Sequence, residues 1–274
     1  AGCCAAGGTL GILIPPSIGF IVYGAITEQS VGRLFLAGYL PGLLEITVYS
    51  LLIIFMCHRN PGLGPPGKAY PWKERFAALR SIIPMLLLIV LVMGGIFMGV
   101  FTPTEAGAVG AFGAFLIALG RRRLNRNNLA SSLSDTGLVT AMLFLLFIGG
   151  MAFCYFLAIS GLPKALGQWL IGSGLPLYVM LSVMLFIYLV LGCFMEPNSM
   201  IVLTLPLFLV ALKGFDVNLI WFGVLTVRMI EIGLITPPVG LNVFTIKGIA
   251  PDIPMGEIFK GILPFVGADL VIVA

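Results

Sequence analysis

Pairs of adjacent prolines interrupt two apolar segments of this chain, in matching contexts. The first segment runs from Gly11 to Pro16 and the second from Gly233 to Pro238, so the two pairs lie 222 positions apart. Downstream of each pair, a Gly-x-Leu-Pro string ends at Pro41 in one half and at Pro264 in the other, 223 positions apart. A broken hydrophobic helix at corresponding places in two halves of a chain points to a transporter's binding site.

The composition restricts the class of protein. Hydrophobic residues make up 59% of the chain and charged residues only 9%, with a mean hydropathy of +1.12. Soluble chains carry about 25% charged residues. We therefore expect an all-α polytopic membrane protein. No basic, aromatic-interleaved face of the kind that binds a polynucleotide is present, so no nucleic acid is expected as a partner.

Few residues could support catalysis or zinc binding. His58 is the only histidine, so zinc sites and Ser-His-Asp catalysis lack their parts. No G-x-x-x-x-G-K-[ST] phosphate loop is present for ATP. The cysteines lack metal-ligand spacing and are expected to be small buried residues: Cys3, Cys4, Cys57, Cys154 and Cys193. We therefore expect neither an enzyme nor a cofactor.

Several apolar runs are long enough to cross a bilayer, which takes about 20 residues. The spans predicted on this basis are 38–57, 81–100, 105–120, 136–160 and 260–274, together with interrupted spans over 8–24 and 219–247. The run 176–212 is too long for one crossing and is broken at Gly192–Ser199. It predicts a re-entrant hairpin whose polar tip is enclosed by protein or a water-filled cavity; an ordinary extracellular turn between two short helices is the alternative. Segments 28–37, 161–173 and 251–260 are predicted amphipathic connectors, with Trp169 and Tyr178 at headgroup level.

The basic residues set the orientation, since Lys and Arg concentrate in cytoplasmic loops. Eleven fall on one predicted side: Arg59, Lys68, Lys73, Arg75, Arg80, Arg121, Arg122, Arg123, Arg126, Lys247 and Lys260. Only Arg33, Lys164 and Lys213 fall on the other. Counting crossings, the two Pro-Pro helices run in opposite directions, which predicts an inverted-topology repeat with discontinuous helices. The predicted organisation is the remainder of the first repeat over 1–57, two scaffold helices with basic loops over 58–135, and the second repeat over 136–274.

The chemistry of the two breaks follows from proline, which has no amide hydrogen and ends a helix. The carbonyl oxygens freed over 11–14 and 232–235 are hard ligands suited to Na⁺. The following half-helices present free amides and a positive dipole end to an anion. At the hairpin tip, Glu196, Asn198 and Ser199 offer further oxygens. A simple proline kink is the structural alternative for each break.

Charged residues inside a membrane are rare and are functional candidates. Arg228 and Glu231 share a helix face and are expected to pair, although Glu196 is a rival partner and a direct solute or ion role for Arg228 is the alternative. Glu45 and Asp269 receive no role from the sequence.

The string 102–105 predicts a helix start. Thr104 is expected to be the N-cap and Glu105 to lie in the first turn. Ala106, Gly110 and Ala114 then form a stripe of small residues that favours close helix packing.

Three strings give the chain a family resemblance: Gly7 to Ser17, Phe101 to Ala108 and Glu231 to Asn242. With them, the chain resembles the large membrane subunit of TRAP (tripartite ATP-independent periplasmic) transporters, over roughly the C-terminal two-thirds. The resemblance implies an elevator-type secondary transporter of the bacterial inner (cytoplasmic) membrane, which imports carboxylate-bearing solutes by Na⁺ symport. The implied partners are a small membrane subunit and a periplasmic solute-binding protein, and the implied solutes are organic anions such as C4-dicarboxylates or sugar acids. Elements that precede Ala1 in such subunits are expected to be missing.

The resemblance also assigns site residues. The first Na⁺ site would use Gly8, Thr9, Gly11 and Pro15, and the second would use Gly192, Ser199, Ile235, Thr236 and Pro237. Apart from the resemblance, the chemistry of the residues predicts that the solute is bound by Ser17, Glu196, Asn198, Ser199, Arg228 and Asn242. Glu196 and Arg228 depart from the pattern expected of the family. A single-chain carboxylate or ion symporter of related two-hairpin architecture is the alternative function.

Overall fold

The computed structural model describes residues 1–65, 67, 70–172 and 174–273, without the side chains of Ser81 and Ile171. Lys68 from the basic set, Ser173 from the connector 161–173, and Ala274 from the last predicted span lie outside the described residues. The described part is helical and contains no strand. Its α-helices are α1 (Gly2–Leu13), α2 (Ile18–Thr27), α3 (Val31–Arg59), α4 (Trp72–Phe97), α5 (Pro103–Gly120), α6 (Arg126–Ser160), α7 (Leu162–Gly172), α8 (Leu177–Gly192), α9 (Pro197–Gly214), α10 (Leu219–Ile235), α11 (Leu241–Ile249) and α12 (Met255–Val273), with one 3₁₀ turn at Pro61–Leu63.

The apolar helices confirm an all-α polytopic membrane protein. Five spans in the described part are long and apolar enough to cross a bilayer, or six if the two parts of α4 count as one: α1 with α2, α3, α5, α6 and α9 are the five. The hairpin arm α8 is apolar but has only 16 residues. α10 has 17 residues, and α12 carries Glu257, Lys260 and Asp269. Crossings by α10 and α12 therefore remain predictions.

The predicted repeat is visible in the helix ends. α1 ends at Leu13 and α10 at Ile235, and α2 ends at Thr27 and α11 at Ile249. Both pairs of ends are 222 positions apart, the spacing of the Pro-Pro pairs. In both halves, the residue before the proline pair has left the helical region, with ψ of 119° in one and 138° in the other.

Two predicted connectors are partly wrong. Segment 28–37 is not a separate element, because α3 begins at Val31 and continues through Pro41 to Arg59. Segment 251–260 likewise runs into α12, which begins at Met255 and contains Pro264. A proline inside a membrane helix is tolerated where neighbouring groups satisfy the freed carbonyl, so neither proline ends its helix. The connector 161–173 is confirmed as a separate helix, α7, which packs against α9.

Contacts between the halves show that the two broken helices run antiparallel. The Tyr23 hydroxyl in α2 donates a hydrogen bond to the Leu219 carbonyl at the start of α10 (2.7 Å). Earlier in α2, a β-carbon on Gly19 would lie 3.8 Å from Val227, further along α10. From Gly19 to Tyr23 in α2, the contacted residue of α10 moves back from Val227 to Leu219. The two helices therefore run in opposite directions. Across the two halves, α10 packs against both α1 and α2, and α1 also packs against α11.

The fold divides into two compact units, one formed by residues 1–61 with 146–274 and the other by residues 62–145. In the first unit, α10 is the central helix and packs against α1, α2, α3, α8, α9, α11 and α12. Thirteen of its 17 residues are buried, including every residue from Thr226 to Ile235. A helix buried on all sides is the core around which the others are arranged.

In the second unit, α4 and α5 pack against each other. The N-cap of α5 is Thr102, not Thr104 as predicted, because Pro103 takes the first helical position. The Thr102 hydroxyl accepts the Glu105 amide while the Glu105 carboxylate accepts the Thr102 amide, which is a capping box. The small-residue stripe packs as expected at Ala106, which is buried, and at Gly110, which faces Val92 of α4. Ala114 is exposed, so the stripe does not continue to its third member.

The closest packing on α10 generates a prediction. A β-carbon on Gly233 would lie 2.7 Å from the Gly192 Cα of α8 and 2.8 Å from the Leu189 carbonyl oxygen. Gly233→Ala is therefore expected to lower the thermal unfolding temperature in detergent, since overpacking costs about 1–3 kcal/mol. Gly248→Ala in α11 is the control, because nothing lies within 4 Å of its β-carbon position. An equal effect of both substitutions would contradict close packing at Gly233.

Candidate functional site

The proline pairs free carbonyl oxygens, more at the first break than at the second. Pro15 and Pro16 have no amide to donate, so the carbonyls of Gly11 and Ile12 lack their helical partners. At the second break, the same applies to Gly233 and Leu234. The Gly233 carbonyl instead accepts the Thr236 amide (3.1 Å). The expectation of free carbonyls thus fails at Gly233, because the chain closes a tighter turn there, and at Ile232, whose carbonyl accepts the Thr236 hydroxyl.

The hydroxyl groups beside the breaks are engaged by their own helices. Thr236 Oγ1 donates to the Ile232 carbonyl (2.6 Å), and Thr9 Oγ1 donates to the Ala6 carbonyl (2.6 Å). Each hydroxyl keeps lone pairs that can still meet a cation. The hydroxyl of Ser17 caps α2 by accepting an amide of its first turn and is buried.

The two halves meet beside the first break. A β-carbon on Gly8 of α1 would lie 3.8 Å from the amide nitrogen Nδ2 of Asn242 in α11. Gly8 and Gly11 are exposed, and Asn242 is half-buried, so this face of α1 is open. Thr9 and Pro15 are buried behind it. A predicted ion-site residue of one repeat therefore borders a predicted solute residue of the other.

The hairpin between α8 and α9 docks onto the second break. The Cys193 thiol points to the Pro237 carbonyl (3.7 Å), and the Gly240 amide donates to the Cys193 carbonyl (3.3 Å). Gly192 packs against Gly233, as described above. Gly192 and Pro237, predicted for the second ion site, therefore lie in one region together with Thr236 and the buried Ile235.

The polar residues of the hairpin tip bind one another. The Glu196 carboxylate accepts three hydrogen bonds: from Asn198 Nδ2 (2.6 Å), from the Ser199 amide (2.9 Å) and from the Ser199 hydroxyl (3.1 Å). It is the N-cap of α9. Asn198 Oδ1 is buried without a hydrogen-bond partner. The hairpin tip thus keeps one hydrogen-bond acceptor without a donor. Glu196 does not contact Arg228, so the rival pairing predicted from the sequence is wrong.

A buried ionic cluster surrounds Arg228. Its guanidinium contacts Glu45 of α3 and Glu231 of α10 through Nη1, and Asp269 of α12 through Nη2 at 2.7 Å. The Tyr49 hydroxyl donates to the second oxygen of Asp269 (2.7 Å). All four charged side chains are at most 3% exposed. The predicted Arg228–Glu231 pair is confirmed, with Nη1 3.3 Å from Oε2.

The cluster changes the interpretation of Arg228. Three carboxylates occupy its Nη1 and Nη2, so a direct contact between Arg228 and a solute, which stays a prediction, finds no support in this geometry. The arginine instead joins three helices, because its partners come from α3, α10 and α12. Buried ion pairs of this kind contribute little net stability as a whole, but the loss of one partner strands a charge and is expensive.

The positions of Glu45 and Asp269 in the sequence do carry a signal that they are partners of Arg228. Glu45 follows Pro41 by four positions, and Asp269 follows Pro264 by five. The two carboxylates therefore occupy nearly equivalent places in the two repeats. Acidic residues at matched distances from the repeated prolines therefore predict that the third helix of each repeat contributes a carboxylate to the same place.

The cysteines depart from expectation. Cys193 is buried as expected, but Cys57 and Cys154 are half-buried, and Cys3 and Cys4 are exposed on α1. The prediction of buried positions is therefore wrong for Cys3 and Cys4, whose helix turns this face away from the packed core.

Comparison with known proteins identifies the family. A family model described as "Tripartite ATP-independent periplasmic transporter, DctM component" matches residues 1–274. The chain belongs to this family. TRAP permeases are transporters of the inner membrane and not enzymes.

Curated relatives agree with the family model. The chain is 37% identical to the C4-dicarboxylate TRAP transporter large permease protein DctM of Pseudomonas aeruginosa, over 97% of this chain and 62% of the relative. It is 31% identical to the sialic acid TRAP transporter large permease protein SiaM of Vibrio cholerae (100% and 64%) and 32% identical to the ectoine TRAP transporter large permease protein TeaC of Halomonas elongata (94% and 60%). The chain thus spans about three fifths of the length of these relatives.

The ionic cluster yields a stability prediction. Arg228→Met is expected to leave three carboxylates buried without a counter-charge and to cost about 3–5 kcal/mol. The full-length protein should lose its monodisperse peak on size exclusion in detergent and unfold at a lower temperature. Arg33→Met, which removes an exposed arginine of α3, should leave both measurements unchanged. An Arg228→Met protein as stable as the wild type would refute the structural role of the cluster.

Tyr49 supplies a graded comparison within the same cluster. Tyr49→Phe removes one hydrogen bond to Asp269 and leaves every ion pair in place, so it should cost about 1.5–3 kcal/mol. Its unfolding temperature is therefore expected to lie between those of the wild type and Arg228→Met. The same measurement on Tyr155→Phe, which changes an exposed tyrosine of α6, provides the control. A Tyr49→Phe protein that unfolds below Arg228→Met would contradict this order.

Proposed function

We propose that the chain forms the ion- and solute-binding part of a secondary transporter that imports carboxylate-bearing solutes by Na⁺ symport. The observation that carries the proposal is the apposition of two antiparallel broken helices, where α1 borders α11 and α2 borders α10. Broken helices from two inverted repeats are the places where transporters bind coupling ions and solutes. The relatives named for C4-dicarboxylate, sialic acid and ectoine are consistent with a carboxylate on the solute.

The Na⁺ ligands proposed for the first site are backbone and hydroxyl oxygens near the first break: Gly8, Thr9, Gly11 and Pro15. The freed carbonyl of Gly11 and the open face at Gly8 support this assignment. For the second site, the proposed region comprises Gly192, Ile235, Thr236 and Pro237, where the hairpin meets the break. Ser199, whose amide and hydroxyl both bind Glu196, would join only after that cap loosens.

The solute carboxylate is proposed to bind near Asn242. α11 begins after Gly240 with no side-chain cap. The Val243 amide donates to the Gly240 carbonyl (2.8 Å), so the amides of Leu241 and Asn242 are those proposed to meet an anion. The Asn242 side chain adds a donor at the same place. Asn198, with its unpartnered oxygen, is the proposed contact for a hydroxyl or amine elsewhere on the solute.

The proposed partners are a small membrane subunit and a periplasmic solute-binding protein, with an elevator-type motion carrying the site across the membrane. The alternative, a single-chain symporter, differs in one measurable respect. Deleting the gene for the binding protein should abolish uptake by intact cells, and re-expression should restore it. Uptake that persists after the deletion would favour the single-chain alternative.

The Na⁺ proposal is tested at Thr236. Thr236→Val removes the hydroxyl at nearly constant shape, and we expect uptake by the reconstituted full transporter to require at least about tenfold more Na⁺, equivalent to about 1.4 kcal/mol. Thr245→Val is the matched control, because its hydroxyl also bonds the carbonyl four residues back, that of Leu241 (3.2 Å), from an exposed position. Unaltered Na⁺ dependence in Thr236→Val would count against the second ion site.

A further inference from the structure

One end of the α4–α5 pair gathers basic residues from separate parts of the sequence. Gly110 of α5 faces Val92 of α4, and Gly113 faces Leu88. The two helices therefore run antiparallel. α4 bends by 51° between Arg80 and Ile82, and the part before the bend continues from the end of the pair at which α5 ends. The exposed basic side chains at this end, here called the basic end, are Lys73, Arg75, Arg80, Arg121, Arg122, Arg123 and Arg126.

The charge of the basic end is poorly balanced. The acidic residues nearest to it are Glu74 and Asp135, so seven positive and two negative charges give a formal charge of +5. Within the described part of the chain, no ion pair with an acidic side chain engages Arg122, Arg123 or Arg126. Like charges gathered at one end of a helix pair repel one another, and a bound anion would relieve that repulsion.

Aromatic residues place the basic end at the level of lipid headgroups. Trp72, at the start of α4, is 70% exposed, and Tyr70 is 58% exposed. The Arg75 guanidinium lies 5.0 Å from the centroid of the Trp72 ring, and Arg75 Nε donates to the Tyr70 carbonyl (3.0 Å). Trp and Tyr beside an apolar helix are typical of the membrane–water interface.

The position of the arginines selects the anion. Arg121, Arg122 and Arg123 follow directly on α5, an 18-residue apolar helix able to span the bilayer. A guanidinium there meets the plane of the phosphates, which it can bind through paired hydrogen bonds. Clusters of basic residues directly beside membrane helices are recognised features of anionic-lipid binding.

We propose that the basic end binds the phosphate groups of anionic phospholipids, with the arginines after α5 as the principal ligands. Such a lipid would neutralise the cluster and hold α4 and α5 in register at their common end. The site is separate from the broken helices, and it requires only that these helices lie in a membrane.

The test measures lipid selectivity of the purified full-length subunit in detergent–lipid micelles. Spin-labelled phosphatidylglycerol and spin-labelled phosphatidylcholine are compared for association with the protein surface. The wild type should prefer phosphatidylglycerol, and the variant R121Q/R122Q/R123Q should lose that preference by at least about fivefold, the effect of roughly one surface charge. The charge-conserving variant R121K/R122K/R123K should keep most of it, which separates charge from folding.

A matched control removes three exposed cations that lie outside the basic end, in the variant R33Q/K164Q/K213Q. It should retain the preference for phosphatidylglycerol. An equal loss in this control would overturn the proposal in favour of a diffuse charge effect, as would full selectivity in R121Q/R122Q/R123Q. Displacement of the labelled lipid by soluble glycerol 3-phosphate, but not by NaCl of equal ionic strength, would overturn it in favour of a small-phosphate site.

Discussion

The charged contact around Arg228 is the constraint on which the first unit depends. A guanidinium in the middle of a buried helix can persist only if carboxylates reach it from the neighbours, and those carboxylates come from α3 and α12 as well as from α10 itself. The contact therefore fixes the rotation of α10 and the positions of the third helix of each repeat. The second Pro-Pro break ends α10, so its geometry depends on an interaction about two turns earlier in the chain.

The repeat explains why so much of the arrangement is reciprocal. Each half supplies a helix up to its proline pair, a short half-helix and a longer helix containing a proline. Because the halves are inverted, the part before one break faces the part after the other. The symmetry is incomplete at the ionic cluster. Ala6 occupies the position in α1 that corresponds to Arg228, so only α10 carries an arginine there, and the acidic residues of α3 and α12 both face α10.

Local sequence patterns predicted local structure well. The helix breaks, the separate helix α7, the turn between α8 and α9 and the Arg228–Glu231 pair depend on proline chemistry or on helical spacing. Contacts between distant parts of the chain could not be predicted in the same way. Tyr49 and Asp269 are 220 positions apart, and only packing brings them together. Likewise, Thr102 is the N-cap in place of Thr104 because Pro103 takes the first helical position. The hydrogen bond from the Thr236 amide to the Gly233 carbonyl depends on how tightly the chain turns at the break.

The cap of α9 has a consequence for how an anion could enter the hairpin tip. Glu196 already supplies a carboxylate to the donors of Asn198 and Ser199, so the chain holds an internal substitute for the ligand those donors would otherwise attract. A second carboxylate would therefore meet donors that are already bound, whereas the unpartnered Oδ1 of Asn198 can accept a hydrogen bond from a donor group. While Glu196 stays in place, the tip disfavours a second carboxylate and favours a hydroxyl or an amine.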